Sequence, residues 1–132
     1  MVTLIGMGSG SWEALSVQAQ DAVRRAGLVF GAKRLLAGLP PECTARQFAL
    51  YQPAEILETL AQAPGQDAAV LYSGDTGFYS GASGLLTPLR ALGIPARVYP
   101  GVSSIQLLAA ALGRPWQDWK LVSAHGCACD PV

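Results

Sequence analysis

Three apolar runs in this chain end in glycine-rich turns: "VTLIGMGSG" from Val2, "AAVLYSGDTG" from Ala68 and "ARVYPGVSS" from Ala96. Short runs with little polar alternation belong to strands buried on both faces, which are found in parallel sheets. Parallel neighbours cannot be joined by a hairpin, so a helix must lie between them. The chain supplies those helices. "SVQAQDAVRRAG" opens on the capping residue Ser16, sets Val17, Ala19, Ala22, Val23 and Ala26 on one side, and is expected to stop at Gly27. "LVFG" from Leu28 reads as a second short strand, and "AKRLLAGLPP" as a short helix closed by Pro40 and Pro41. "TARQFAL" is ambiguous, an outer strand at most. "PAEILETLAQAPG" is a helix with Pro53 in its first turn and Gly65 beyond its end. Further helices are expected over Ser83 to Leu92 and from Ser103 or Ser104, and a final strand in "KLVSAHG".

The fold class that follows is α/β, a mainly parallel sheet with helices on both faces. Ala68 to Tyr72 is its expected central strand. In open sheets of this class ligands bind beyond the carboxyl ends of the strands. The three glycine turns all lie there and should converge in space.

The first turn, Gly6 to Gly10, is not a dinucleotide fingerprint: its third glycine comes one residue early, and "LVFGAK" offers no acid for a ribose. Nor is it a Walker loop, since no Gly-Lys-Ser/Thr follows. By itself it reads as a tight strand exit. In the second turn Gly74, Gly77 and Gly81 remove side chains, which would let a ligand lie against the backbone. Asp75 there would either accept hydrogen bonds from a ligand or cap the turn, and Phe78 and Tyr79 would supply apolar wall. The third turn sets Ser103 and Ser104 at a helix start, one to cap it and one left over.

Charge and thiols narrow the function classes. Lys plus Arg and Asp plus Glu number 9 each, so the chain has no basic excess for nucleic acid, and the pairs Arg24–Arg25 and Lys33–Arg34 make no stripe. No apolar run is long enough to span a membrane, and "MVTLIG" has no basic n-region of a secretory signal. Cys43, Cys127 and Cys129 are odd in number and sparse, which fits a reducing cytoplasm better than a disulfide framework. "HGCACD" from His125 lacks the spacing of a zinc site, so no metal is expected.

The order "LIGMGSG", "LYSGDTGFYSGA" and "YPGVSSIQLLAAALGRPWQDWKLVSAHG" resembles the S-adenosylmethionine-dependent tetrapyrrole methyltransferases. The ending from "GRPW" points to the precorrin-6Y and cobalt-precorrin-7 C5-methyltransferases of cobalamin biosynthesis. Two positions depart from the family pattern, which usually has proline where Ser9 and Thr76 stand. The resemblance implies a cytoplasmic enzyme that methylates C5 of a precorrin or cobalt-precorrin, a homodimer that engages neither nucleic acid nor membrane. It implies S-adenosylmethionine contacts at Ser9, Gly74, Asp75, Phe78, Ser103 and Ser104, and tetrapyrrole contacts at Gly8, Gly10 and Tyr79. No catalytic residue follows from it; His125 would be a base for the ring proton or a structural residue. It also implies that residues 1–124 are an N-terminal α/β domain and 125–132 the start of a linker to a second domain, with little turnover from this chain alone. The rival readings are an RNA methyltransferase of the same fold and a nucleotide-binding regulatory module without chemistry.

Overall fold

The computed structural model describes residues 1–77 and 80–120. Five strands form one parallel sheet: β1 (Val2–Gly6), β2 (Leu28–Phe30), β3 (Arg46–Phe48), β4 (Ala68–Tyr72) and β5 (Ala96–Tyr99). Their order across the sheet is β3-β2-β4-β1-β5, so β4 is central, as expected from its apolar run. The helices between them are α1 (Val17–Arg25), α2 (Lys33–Ala37), α3 (Pro53–Ala61), α4 (Ala82–Ala91) and α5 (Ser104–Leu112). The expected strand in "KLVSAHG" lies, but for Lys120, outside the described residues, as do His125, Cys127 and Cys129.

Side-chain alternation along the strands divides the core into two layers. Ile5, Val29, Ala69 and Leu71 point to one face, where Ala19 and Val23 of α1 and Leu35 and Leu36 of α2 cover them. Leu4, Leu28, Phe30, Ala68 and Val70 point to the other, under Ile56 of α3 and Leu85 and Leu89 of α4. Strands buried on both sides have no polar positions to spare, which accounts for the unbroken apolar runs.

Several ends differ from expectation. Ser16 caps α1 as expected, its hydroxyl accepting from the Ala19 N–H at 3.2 Å. The helix stops at Arg25, however: Ala26 is already extended, and Gly27 takes no left-handed conformation. A Cβ on Gly27 would lie 2.6 Å from Gln66 Oε1, the movable end of an exposed side chain, and no backbone comes closer than 3.8 Å, so neither conformation nor packing demands glycine there. α2 ends on Gly38, before Pro40 is reached, and α4 lies one residue earlier than expected. "TARQFAL" yields the edge strand β3, and a 3₁₀ turn at Trp12–Ala14 had no signature in the sequence. Arg24 does more than face water. Its guanidinium bonds Asp21 and Glu42, each at 3.1 Å, and lies over the Trp12 ring.

α5 is unlike the other helices. Ala109 is buried, but Leu107, Leu108 and Leu112 are exposed, together with Val98 on the edge strand β5, Val102 and Trp116.

Ile56 is fully buried against the sheet, and its truncation leaves a cavity that α3 cannot close without moving. Ile56→Ala should cost about 2–5 kcal/mol in urea unfolding. A loss below about 1 kcal/mol would show that α3 is not part of the cooperative core.

Candidate functional site

β1 and β4 are neighbours, yet the chain leaves β1 for the α1 face and leaves β4 for the α4 face. Their exits therefore diverge to opposite sides of the sheet. This is the switch point at which open α/β sheets bind ligands.

The glycine turns meet above that point. Met7 N–H donates to the Tyr72 carbonyl at 2.7 Å, and Gly8 and Gly74 exchange both backbone bonds, at 3.1 and 3.0 Å. The third turn joins them. A Cβ on Gly101 would lie 2.3 Å from the Gly74 carbonyl oxygen and 2.5 Å from that of Gly6. A Cβ on Gly6 would lie 2.6 Å from the Gly101 nitrogen. The convergence expected from the sequence is present, but at Gly6 and Gly101 the missing side chains make room for neighbouring backbone and not for a ligand. Gly74 needs glycine for its conformation, φ +68°.

Asp75 follows, half-buried. Its Oδ1 accepts the Gly101 N–H at 3.1 Å and its Oδ2 the Gly77 N–H at 3.2 Å. Of the two roles open to it in the sequence, capping the turn is the one seen, with a bond to the third turn added. Thr76, buried, donates its hydroxyl to the Tyr99 carbonyl at 3.3 Å. Ser103 is the cap of α5: its hydroxyl accepts the Gln106 N–H at 3.2 Å, and the Gln106 side chain accepts the Ser103 N–H at 2.7 Å. Ser104 is left exposed at the helix start, and Ser9 is exposed at the tip of the first turn. Gly8 and Gly10 flank Ser9 with φ of 58° and 95°. Phe78 and Tyr79 lie outside the described residues.

Missed in the sequence were the bond of Thr76 to the Tyr99 carbonyl and the burial of the Tyr72 phenol. Tyr72 ends β4 beside Gly81, and burial pushes its phenol up to about 12. It is neutral at physiological pH and cannot act there as a base.

What the loops offer is hydroxyls at Ser9 and Ser104, the first turn of α5, and exposed backbone around one carboxylate. Such groups donate and accept hydrogen bonds and suit a polar ligand. The described residues bring together no cluster of three His, Cys, Asp or Glu fit for a metal. A separate cavity of about 400 Å³ opens at the other end of the sheet, lined by Leu57, Leu60, Leu92, Ile94 and Pro95. Its wall is mostly apolar, with Met1 and Gln66 also lining it, and of the glycine turns only that of Gly65 reaches it.

Two substitutions separate the backbone contact from glycine's general flexibility. Gly101→Ala should destabilise the chain by more than about 2 kcal/mol, because backbone must move to admit the methyl. Gly84→Ala, inside α4 with its nearest foreign atom at 3.8 Å, should be neutral or stabilising by up to about 1 kcal/mol. Equal effects would contradict the contact. For Tyr72, the unfolded chain loses its proton near the ordinary value of about 10, before the folded chain does. Stability should hold below that and fall as pH rises toward about 12, and Tyr72→Phe should remove this part of the loss. Identical alkaline profiles for the two chains would contradict the burial effect.

The family model of Tetrapyrrole (Corrin/Porphyrin) Methylases matches residues 1–131. The cobalt-precorrin-7 C(5)-methyltransferase of Salmonella typhimurium is 34% identical over 128 residues, covering 96% of this chain and 62% of that protein. The chain thus spans about three fifths of the length of that relative. Among solved structures, the methyltransferase CobJ superposes with a TM-score of 0.73 at 27% identity, over 86% of this chain and 51% of its own. A uroporphyrin-III C-methyltransferase from Thermus thermophilus, solved with S-adenosylhomocysteine, gives 0.66 at 25% identity, over 83% and 47%.

Proposed function

Given that this chain belongs to the tetrapyrrole methylase family, we propose that it is the cofactor-binding α/β unit of an S-adenosylmethionine-dependent C-methyltransferase. Its substrate is a precorrin or cobalt-precorrin, methylated at C5 of the ring in cobalamin biosynthesis. The observation that carries this reading is the fusion of three strand exits into one platform at the switch point of the sheet. Similarity to the cobalt-precorrin-7 C(5)-methyltransferase supports the choice of substrate.

Cofactor contacts are assigned to Ser9, Gly74, Asp75, Phe78, Ser103 and Ser104, with Asp75 contributing its main chain, since both its carboxylate oxygens are engaged. Gly8, Gly10 and Tyr79 are assigned to the tetrapyrrole. S-adenosylmethionine supplies a methyl already activated by its sulfonium, for attack by an electron-rich ring carbon. The residues of this chain then have modest tasks: to hold the cofactor, align it and keep water away. Hydroxyls and backbone amides suit them, and none needs to titrate near neutrality.

The reading includes a homodimer working in the cytoplasm. The exposed Leu107, Leu108 and Leu112 of α5 support association, since an apolar helix face of this kind is costly to leave in water. No described helix is long and apolar enough to cross a membrane.

Calorimetry with S-adenosylhomocysteine and with NAD tests the cofactor. Binding of the first and not of the second is expected; the reverse, or neither, would overturn the reading. Transfer of labelled methyl from S-adenosylmethionine to cobalt-precorrin-7 tests the substrate. The chain alone should turn over far more slowly than a longer relative. Transfer to RNA in preference to the precorrin would overturn the assignment.

A further inference from the structure

β4 and β5 do not pair; β1 lies between them. Two strand spacings would set them about 10 Å apart. Their exits nevertheless close over the end of β1, where Gly6 presents no side chain. Two consecutive residues of the β4 exit tie the gap. Asp75 accepts from the Gly101 N–H at 3.1 Å, and Thr76 donates to the Tyr99 carbonyl at 3.3 Å. The bonds fall on either side of Pro100, which has no N–H of its own to contribute. Two residues beyond Gly101 stands Ser103, the cap of α5. The tie thus sets where the start of α5 stands relative to the turn after β4.

We propose that Asp75 and Thr76 are a pair of positioning residues, which hold the α5 start and the β4 turn at the separation the cofactor needs. The inference rests on the cofactor reading above and deepens it. Thr76 is the sharper half, because its hydroxyl is buried and already engaged. It affects the ligand only through the β5 exit. Asp75 has both oxygens on backbone N–H groups, one in its own turn and one across the gap. Fixing the gap in advance removes an ordering cost from binding, so loosening it should weaken affinity without touching a ligand contact.

The test combines hydrogen exchange in the ligand-free chain with calorimetry using S-adenosylhomocysteine. Thr76→Val keeps the shape and loses the donor. It should weaken binding about fivefold, and Thr76→Ser should restore it, with both variants still folded in the absence of urea. Asp75→Ala should speed exchange of the Gly101 amide on the order of tenfold and weaken binding by a similar factor. Asp75→Asn, which keeps one acceptor oxygen, should fall between and guards against a misfolded alanine variant. Weakened binding in Asp75→Ala with unchanged Gly101 exchange would make Asp75 a direct ligand contact and overturn the proposal. Unchanged affinity in Thr76→Val would overturn it too. If the wild-type chain binds no S-adenosylhomocysteine, the cofactor reading fails, and the positioning role falls with it. The Gly101 exchange rates would still report whether the tie exists, so the two failures can be told apart.

Discussion

The contact among the Gly6, Gly74 and Gly101 backbones is the constraint on which the rest of the site depends. Three strand ends that would otherwise stand a strand spacing apart are drawn together where no Cβ intervenes. Backbone atoms brought this close must also find partners for their polar groups. They do so through the Gly8–Gly74 pair, Met7 to Tyr72, and the Asp75 carboxylate on Gly101. The platform is thereby made of main chain, whose position is set by the sheet beneath it. A site on such a base needs few side chains, which is consistent with chemistry that relies on alignment more than on proton transfer.

The sheet's central strands were legible because they are buried on both faces. β1 and β4 have the residue limits expected from their apolar runs, and β4 is central as that run implied. β3 was hard to see for the opposite reason. It is an edge of three residues, two of them exposed, and half-exposed edge positions leave no apolar run. Gly27 misled because a glycine after a helix has two physical origins, left-handed backbone or a close neighbour. Here neither holds: the backbone is not left-handed, and the near atom is the movable tip of the exposed Gln66 side chain. At the site, the family and the meeting of the three turns were readable. The use of the glycines was not: sequence shows that a side chain is missing, but not what occupies its place.

Asp75 and the two serines show the same limit at the level of single residues. Each was open to a local structural role or a ligand role. Ser103 takes the cap with a reciprocal bond from Gln106, a partner three residues on that could have been read as a capping box. Ser104 is left exposed, as two adjacent hydroxyls allowed. Asp75 has a partner 26 residues away, beyond any local motif. Thr76 drew notice in the sequence only as a departure from proline; its bond to Tyr99 is a tertiary fact.

The distance in sequence between Gly6 and Gly101 has a bearing on how the chain acquires its site. β1 is made first, but its glycine meets its final neighbours only when the chain has been synthesised through the β5 exit. Contacts between residues so widely separated form slowly, because most of the chain must be ordered before they can be made. The helix α1 and the strands β2 and β3 can organise earlier on local information, but β1 has no neighbour until β4 is inserted between it and β2. During synthesis the first strand is therefore an apolar segment waiting for a partner, and the platform of strand exits is completed only after the β5 exit has been made.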